Sequence, residues 1–566
     1  MKLKPVEIGD MVINPIHLIP SGIITTTPDT CEKFSREGYV GGVVTKSIPP
    51  RPRLGNREPI IAQVTPNTFI NAVAYTHPGL KETLKEFADI NPLKPIGASI
   101  TAPSVKGFGY LARNIREPFR FIEAVVSCPH TKGYGVEGGF SNPEIIREIT
   151  ETVVKESNGM PVGVKLPPDT GKIKDLAIAA KKGGAKFLSG VNTVRGTVID
   201  DYTGKPILTN GFGGLSGEGV SGVGVECISL MRKAVKDLPI IGGLGIESAR
   251  AGRQYLHAGA NALYIGTALR GMSTKRVNEF FRAFEADLLN DTDEAEKMVT
   301  KEWIMRYEPY KIVDVEEKGK EIKIFTFDRK IKAKPGQFVF ARLPRRGRES
   351  SEKPFSIAYD NPLTLAFRKV GNFTSRMYDL VEGDKVMIRG PYGNGFIISE
   401  GKSYEVFGGT GSAPSYFLAT RLNKPTVFMG ARTESELLFE DEFSECAGEV
   451  IISTDDGSRG RGEFVTDTLE RYLHENDIDR NSHFYNCGPE RMMKKAVGIE
   501  MRYVQPKNIS ASIERYTPCA VGMCGRCSIN GSRTCVDGPV YDALSLNSFE
   551  DFGERKKDAR GTSIQI

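Results

Sequence analysis

Over the first three hundred residues, short apolar runs rich in Val, Ile or Gly recur at 11–18, 40–45, 95–100, 121–126, 161–166, 185–191, 238–243 and 260–265. The segments between them, such as 142–157 and 174–182, place apolar residues at helical spacing instead. Strand-length runs alternating with helix-period segments mark βα units and a parallel sheet. Eight such units predict an α/β TIM barrel, (β/α)8, over residues 1–300. After Trp303 the period shortens: 311–328 and 337–343 alternate apolar and polar positions, with turn residues between them. That pattern predicts an antiparallel β-barrel over 301–400. Short apolar strands followed by helical stretches resume at 404–407, which predicts an α/β lobe over 401–504. The last stretch, 505–566, begins with clustered cysteines and ends in a charged tail after Asp542.

Active sites of (β/α)8 barrels lie at the C-terminal ends of the strands. Here run two ends in Thr45-Lys46, run four in Ser127-Cys128-Pro129-His130 and run six in Asn192-Thr193, while run five contains Lys165. A lysine inside a buried strand is costly without an anionic partner. Two lysines at one end of a barrel point to an anionic or electron-rich ligand. Gly242-Gly243 and Gly266-Thr267 close runs seven and eight, where such barrels bind phosphate. Cys128 precedes a glycine-rich loop with Gly133, Gly135, Gly138 and Gly139. A thiolate there can serve as acid and base beneath a lid that excludes water.

Bulk composition narrows the class. A chain of 566 residues suggests about three or four domains. A net charge of +6 is small for this length and does not call for nucleic acid. Arg342, Arg345, Arg346 and Arg348 form one basic cluster, read as solvated loop charge, with a cofactor phosphate as the alternative partner. No apolar run reaches about 18 residues, so no membrane span is expected, and the first residues show no signal-peptide core. Cysteines 31, 128, 227, 446 and 487 are scattered, which suits a reducing cytoplasm.

The other four cysteines are clustered. Cys519, Cys524 and Cys527 follow the spacing C-x4-C-x2-C, and Cys535 comes next. Plant-type [2Fe–2S] clusters use this pattern; a structural zinc site or a disulfide knot is the competing reading. A one-electron carrier requires a donor and an acceptor elsewhere. In the α/β lobe, Gly408-Gly409-Thr410-Gly411 joins a strand to a helix, a place that favours a phosphate.

Val43–Lys46, Arg53-Leu54-Gly55-Asn56, Ser127-Cys128-Pro129, Gly163–Pro167, Gly214-Leu215-Ser216-Gly217 and Ile241–Gly245 together resemble the catalytic subunit of class 1 dihydroorotate dehydrogenases. That resemblance implies FMN at the barrel mouth, with Lys46 and Lys165 at its ring. Gly242, Gly243, Gly266 and Thr267 would hold its phosphate, and Ser21, Gly22 and Gly217 would also touch it. It implies substrate contacts from Lys46, Asn71, His130, Asn192 and Thr193, with Cys128 taking the proton. Lys353-Pro354-Phe355-Ser356, Gly371 and Thr374 resemble the FAD-binding barrel of ferredoxin–NAD(P) reductase-like proteins, and Gly409 and Gly411 the nicotinamide lobe beside it. Reductase, NAD(H) lobe and four-cysteine loop in this order resemble the electron-transfer subunit of class 1B dihydroorotate dehydrogenases, here fused to the barrel.

The resemblance implies NAD(H)-linked oxidation of dihydroorotate in pyrimidine biosynthesis through FAD, [2Fe–2S] and FMN, with the four-cysteine loop beside the FMN. It also implies a homodimer formed through the barrel. Val125 and His130 depart from the asparagines that read orotate in that family. Two alternatives follow: the same electron chain acting on another pyrimidine or conjugated ring, in the manner of dihydropyrimidine dehydrogenases or ene-reductases, or a reductase whose acceptor is a partner protein.

Overall fold

The computed structural model describes residues 3–128, 131, 133–318, 321–343 and 352–566. The chain divides into two compact units. The first comprises Met1–Ile304 with the later segments Val521–Gly531 and Lys557–Thr562. The second comprises Met305–Ala520, Ser532–Lys556 and Ser563–Ile566. The C-terminal stretch from residue 505 is therefore shared between both units.

The first unit is built on eight parallel strands: β1 (His17–Leu18), β2 (Val43–Val44), β3 (Ile96–Ile100), β4 (Phe119–Val125), β5 (Val162–Lys165), β6 (Phe187–Gly190), β7 (Ile240–Gly242) and β8 (Ala262–Tyr264). They pair in the order β1-β8-β7-β6-β5-β4-β3-β2. The ring closes where Val44 N–H donates to the Ile19 carbonyl at 3.0 Å and Ile19 bridges Val43. Each of the eight predicted runs overlaps one barrel strand, the fourth beginning two residues earlier than predicted, at Phe119. The first run is split, because Met11–Ile13 forms an antiparallel hairpin with Val6–Ile8 and only His17–Leu18 enters the barrel.

Helices α1 (Pro28–Ser35), α2 (Leu80–Glu86), α3 (Val105–Asn114), α4 (Pro143–Glu156), α5 (Ile173–Lys182), α6 (Ser221–Ala234), α7 (Ala249–His257) and α8 (Thr274–Asn290) alternate with the strands. In α4 the causes are plain. Asn142 caps the Glu144 N–H at 2.8 Å, proline takes the first turn, and Ile146, Ile149, Thr150 and Val153 form its buried stripe. Inside the barrel, the Phe121 and Phe187 rings meet edge to face at 5.7 Å. A side chain on Gly163 would come within 2.1 Å of the Phe187 ring, so that position must stay bare.

A feature absent from the sequence reading is a four-stranded antiparallel sheet made of Val194–Gly196, Gly213–Gly217, Thr68–Asn71 and Ile61–Thr65, in that order. It is assembled from the loops after β2 and β6.

The second unit begins with a seven-stranded antiparallel sheet. Its strands are β9 (Glu308–Lys318), β10 (Ile322–Phe327), β11 (Phe338–Arg342), β12 (Glu352–Ser356), β13 (Tyr359–Asp360), β14 (Leu363–Arg368) and β15 (Lys385–Tyr392), paired β12-β11-β15-β9-β10-β14-β13. A six-stranded sheet follows: β16 (Ser403–Gly408), β17 (Thr426–Ala431), β18 (Glu449–Thr454), β19 (His483–Cys487), β20 (Ile509–Ser512) and β21 (Val540–Asp542), paired β18-β17-β16-β19-β20-β21. All its pairings are parallel except that of β21. Arg342 is not a solvated loop charge: it is buried in β11, its guanidinium carbon 4.1 Å from the Tyr307 ring centre. Arg345, Arg346 and Arg348 lie outside the described residues. Among the described residues, no helix is long and apolar enough to cross a membrane.

Candidate active site

The C-terminal ends of the barrel strands surround a cavity of about 170 Å³. Lys46 and Lys165 both reach it. Lys165 ends β5 with its ammonium 3.7 Å from the Glu123 carboxylate and 5.2 Å from the Tyr264 ring centre. Glu123, fully buried in β4, also accepts hydrogen bonds from Ser189 Oγ and Tyr264 OH, both at 2.7 Å. The anionic partner that a buried lysine demands is thus supplied by the adjacent strand. Sequence reasoning missed Glu123, although a glutamate in the apolar run 121–126 is itself a signal.

Lys46 has a different environment. Burial lowers its pKa to about 8; the nearby Cys128 and Cys524 thiols favour its charge, while Arg526 and Lys165 oppose it. A bound anion would restore the charge.

Cys128 lines the cavity and is 4% exposed. Its Sγ lies 3.1 Å from Thr131 Oγ1, and its carbonyl accepts from Val136 N–H at 3.2 Å. The following glycine loop folds tightly over it: a side chain on Gly135 would come within 2.4 Å of the Cys128 nitrogen. Asn71, Asn192 and Thr193 line the same cavity, as does Val125. Asn192 Nδ2 donates to Ser127 Oγ at 3.0 Å, and its Oδ1 accepts from Thr193 N–H at 2.8 Å. Asn71 Nδ2 donates to the Gly214 carbonyl at 3.2 Å. Pro129 and His130 lie outside the described residues.

Ser21, Gly22, Gly243, Gly266 and Thr267 also line the cavity. At Gly243 a Cβ would meet the Tyr264 carbonyl at 2.5 Å, and at Gly245, with φ +73°, it would meet the Gly217 carbonyl at 2.1 Å. The Gly243 N–H is itself taken by the Gly190 carbonyl at 2.6 Å, so these glycines let the backbone pack closely around the cavity rather than offering that amide to a phosphate. Two buried ammonium groups and this glycine-lined wall fit FMN. Gly242 and Gly217 are not brought to the cavity wall. Gly242 faces the Tyr255 ring, and Gly217 packs on the Asn67 carbonyl behind Gly245.

One wall of this cavity comes from the distant four-cysteine loop, through Met523 and Cys524. Ile24 N–H donates to the Met523 carbonyl at 2.8 Å, Thr26 Oγ1 to the Cys524 carbonyl at 2.7 Å and Gly271 N–H to the Val521 carbonyl at 2.9 Å. Cys519, Cys524, Cys527 and Cys535 are all buried. The loop turns through left-handed backbone at Ala520, Gly522 and Gly525. Among the described residues, no three His, Cys, Asp or Glu side chains form a preassembled cage for a single metal ion. The fit to an iron–sulfur cluster rests on four buried thiols at the required spacing in a sharply turning loop.

The second unit holds a larger cavity of about 950 Å³. Pro354, Phe355 and Ser356 of β12 line it, as do Gly409 and Gly411 at the start of helix α9 (Ser412–Ala419). A Cβ on Gly411 would approach the Cys487 carbonyl to 2.5 Å. Lys353, Gly371 and Thr374 do not reach the wall. Thr374 Oγ1 accepts from the Val370 and Gly371 N–H groups at 2.9 and 3.0 Å and so caps its own helix. Arg368, Arg491 and Lys495, unnoticed in the sequence, line it too, as do Arg432 and the acidic Asp455; Arg368 is paired with Glu436 at 2.9 Å and Lys495 with Asp467 at 2.5 Å.

Family models match three stretches: dihydroorotate dehydrogenase over residues 6–285, an oxidoreductase NAD-binding domain over 406–498, and the iron–sulfur cluster binding domain of dihydroorotate dehydrogenase B over 514–547. The chain is 40% identical over 265 residues to the catalytic subunit of dihydroorotate dehydrogenase B (NAD(+)) of Pyrococcus abyssi, covering 46% of this chain and 87% of that one. It is 38% identical over 260 residues to the probable electron transfer subunit of Methanocaldococcus jannaschii, covering 45% and 96% respectively. The chain belongs to the dihydroorotate dehydrogenase B family. Relatives of both subunit types match within one polypeptide, so this dihydroorotate dehydrogenase B is a fusion of the two. It is a flavin- and iron–sulfur-linked oxidoreductase with sites for FMN, FAD, a [2Fe–2S] cluster and NAD(H).

Proposed function

We propose that Cys128 is the acid/base of dihydroorotate oxidation in this fused enzyme, and that the barrel-mouth residues hold substrate and FMN around it. The observation that carries this reading is a single cavity lined by Cys128, Lys46, Lys165, Asn71, Asn192 and Cys524. When bound, the flavin accepts the hydride. The Cys128 thiolate takes the proton from the adjacent ring carbon. Asn71, Asn192 and Thr193 offer amide and hydroxyl groups to the ring's polar edge, and Lys46 and Lys165 bring positive charge to its electron-rich neighbour. Closure of the 133–139 loop over Cys128 keeps water from the thiolate. Pro354, Phe355 and Ser356 would hold FAD, and Gly409 and Gly411 would approach the dinucleotide. Cys519, Cys524, Cys527 and Cys535 would ligate the cluster.

Anaerobic stopped-flow absorbance tests this assignment. Dihydroorotate should bleach the flavin bands, and Cys128→Ser should slow bleaching at least about a hundredfold, the usual contribution of acid–base catalysis. A serine variant at the wild-type rate would remove Cys128 from the chemistry. Val125 in the cavity wall favours a second reading, a different pyrimidine ring; orotate titration of the FMN spectrum decides, because only a ligand of this pocket perturbs it. A homodimer through the barrel and a cytoplasmic location complete the proposal, the former tested by sedimentation.

A further inference from the structure

Beside Cys128 stands a second ionisable side chain that the reaction described above leaves unused. Tyr75 lines the same cavity, is 4% exposed, and packs with Cys128 and Tyr134 in one small buried cluster. Thr101 and the Cys128 thiol flank its hydroxyl, yet among the described residues it makes no well-formed hydrogen bond. Burial first, and then the charge of Cys128, push the phenol's pKa well up, so the hydroxyl keeps its proton and acts as a donor. A buried donor without an acceptor costs about 1–3 kcal/mol. A thiolate at Cys128 would be that acceptor.

The chain spends several constraints on aiming this side chain. Ala74, the residue before it, sits at φ +60°, uncommon for a residue with a Cβ. The 53–56 motif locks the segment on both sides. Asn56 Nδ2 donates to the Ala72 carbonyl at 2.8 Å, Thr76 Oγ1 donates to the Leu54 carbonyl at 3.1 Å, and Arg53 and His77 exchange both backbone bonds at 2.9 and 3.0 Å. Gly55 has no room for a side chain, since a Cβ there would lie 1.8 Å from Thr76 Oγ1. The Tyr75 ring meets Tyr134 at 5.3 Å, and the Arg53 guanidinium carbon is 4.6 Å from the Tyr134 ring centre. The phenol is thereby tied to the loop that closes over Cys128.

We propose that Tyr75 is a further catalytic residue, whose hydroxyl hydrogen-bonds the Cys128 sulfur and holds it as the thiolate base. The proposal rests on Cys128 as the acid/base. No proton moves along the Tyr75–Cys128 bond. The ring C–H bond breaks as the S–H bond forms; the electron pair left behind becomes the new C=C bond, while the neighbouring C–H leaves with its pair as hydride to the FMN. Among the described residues, the ionisable groups shown acting with Cys128 include Lys46, which also favours the thiolate, and Tyr134. Cys524, Lys165 and Arg526 act on Lys46 in turn, and Lys46 acts on His77.

The test compares Tyr75→Phe with the wild-type holoenzyme. The pH profile of flavin bleaching by dihydroorotate should move up, and the rate on its acidic limb should fall about tenfold for every pH unit the profile moves. Alkylation of the Cys128 peptide by iodoacetamide, followed by mass spectrometry without substrate, should move the same way. FMN content and the bleaching of FAD by NADH should not change. An unmoved profile, or an unmoved profile with weakened orotate binding, overturns the proposal. Wild-type alkylation gives a check that needs no variant: Cys128 must titrate below the ordinary thiol value of about 8.5, and a value at or above it also overturns the proposal. If Cys128→Ser keeps the wild-type rate, the acid/base reading itself falls, a result distinct from an unmoved Tyr75→Phe profile.

Discussion

At the scale of single residues, the barrel mouth is governed by where its charges find partners. Lys165 and Glu123 form a buried pair, 10% and 0% exposed at their side chains. Removing one partner of such a pair leaves an uncompensated buried charge, whereas removing both can be nearly neutral. Lys165→Met should therefore destabilise the FMN-free protein by roughly 3 kcal/mol, and the double variant Lys165→Met/Glu123→Gln should recover most of that loss. Urea unfolding of the two variants measures the difference, and equal midpoints would show that the pair does not couple. Lys165 was visible in the sequence because a lysine interrupts an apolar run. Glu123 was not singled out, because its meaning depends on the strand beside it. In the register of β4 and β5, Glu123 lies opposite Gly163, two residues before Val125 meets Lys165. Tyr75 was equally hidden: a tyrosine in a loop reads as ordinary until Cys128 is placed against it.

At the scale of elements, the barrel strands were legible because they are buried on both faces and read as unbroken apolar runs. The sheet formed by Thr68–Asn71 and Gly213–Gly217 was not, because glycine-rich segments lack a periodic pattern and their pairing spans far-separated positions. The reductase strands were legible as alternation, and the 354–356 motif reached its cavity. Thr374 and Lys353 did not, since a motif's spacing does not say that Thr374 caps its own helix or that the Lys353 ammonium lies over the Tyr516 ring, 5.8 Å from its centre. The first barrel strand carries a testable liability. His17 in β1 is fully buried, lies parallel to the Phe281 ring at 5.5 Å, and has its pKa lowered by burial from 6.5 to about 4. Between these values the unfolded chain binds a proton that the folded chain refuses, so stability falls as pH drops from 6.5 towards 4. The full loss below that window is roughly 3 kcal/mol at 1.36 kcal/mol per pKa unit. His17→Leu should flatten this part of the urea-midpoint profile, and an unchanged slope would assign acid sensitivity to other groups.

At the scale of the whole molecule, two two-electron sites share one chain with a one-electron carrier, and the four-cysteine loop is the element proposed to link the reductase and barrel chemistries. Its segment Val521–Gly531 belongs to the barrel unit and places Cys524 in the wall of the barrel-mouth cavity. Cys519 belongs to the second unit, where its carbonyl accepts a hydrogen bond from the buried Arg389 at 3.2 Å. Cys535 belongs to the second unit and is not among the residues lining either cavity, so replacing it should remove the cluster and leave both flavin pockets standing. Cys535→Ser, purified anaerobically with FMN and FAD bound, should lack the [2Fe–2S] electron-paramagnetic signal after dithionite reduction. Dihydroorotate should then bleach only the FMN share of the flavin absorbance, and NADH only the FAD share, whereas the wild-type protein should lose both shares with either reductant. If NADH still bleaches both flavins in a cluster-free variant, electrons pass directly between the flavins and the four cysteines serve the fold rather than the relay.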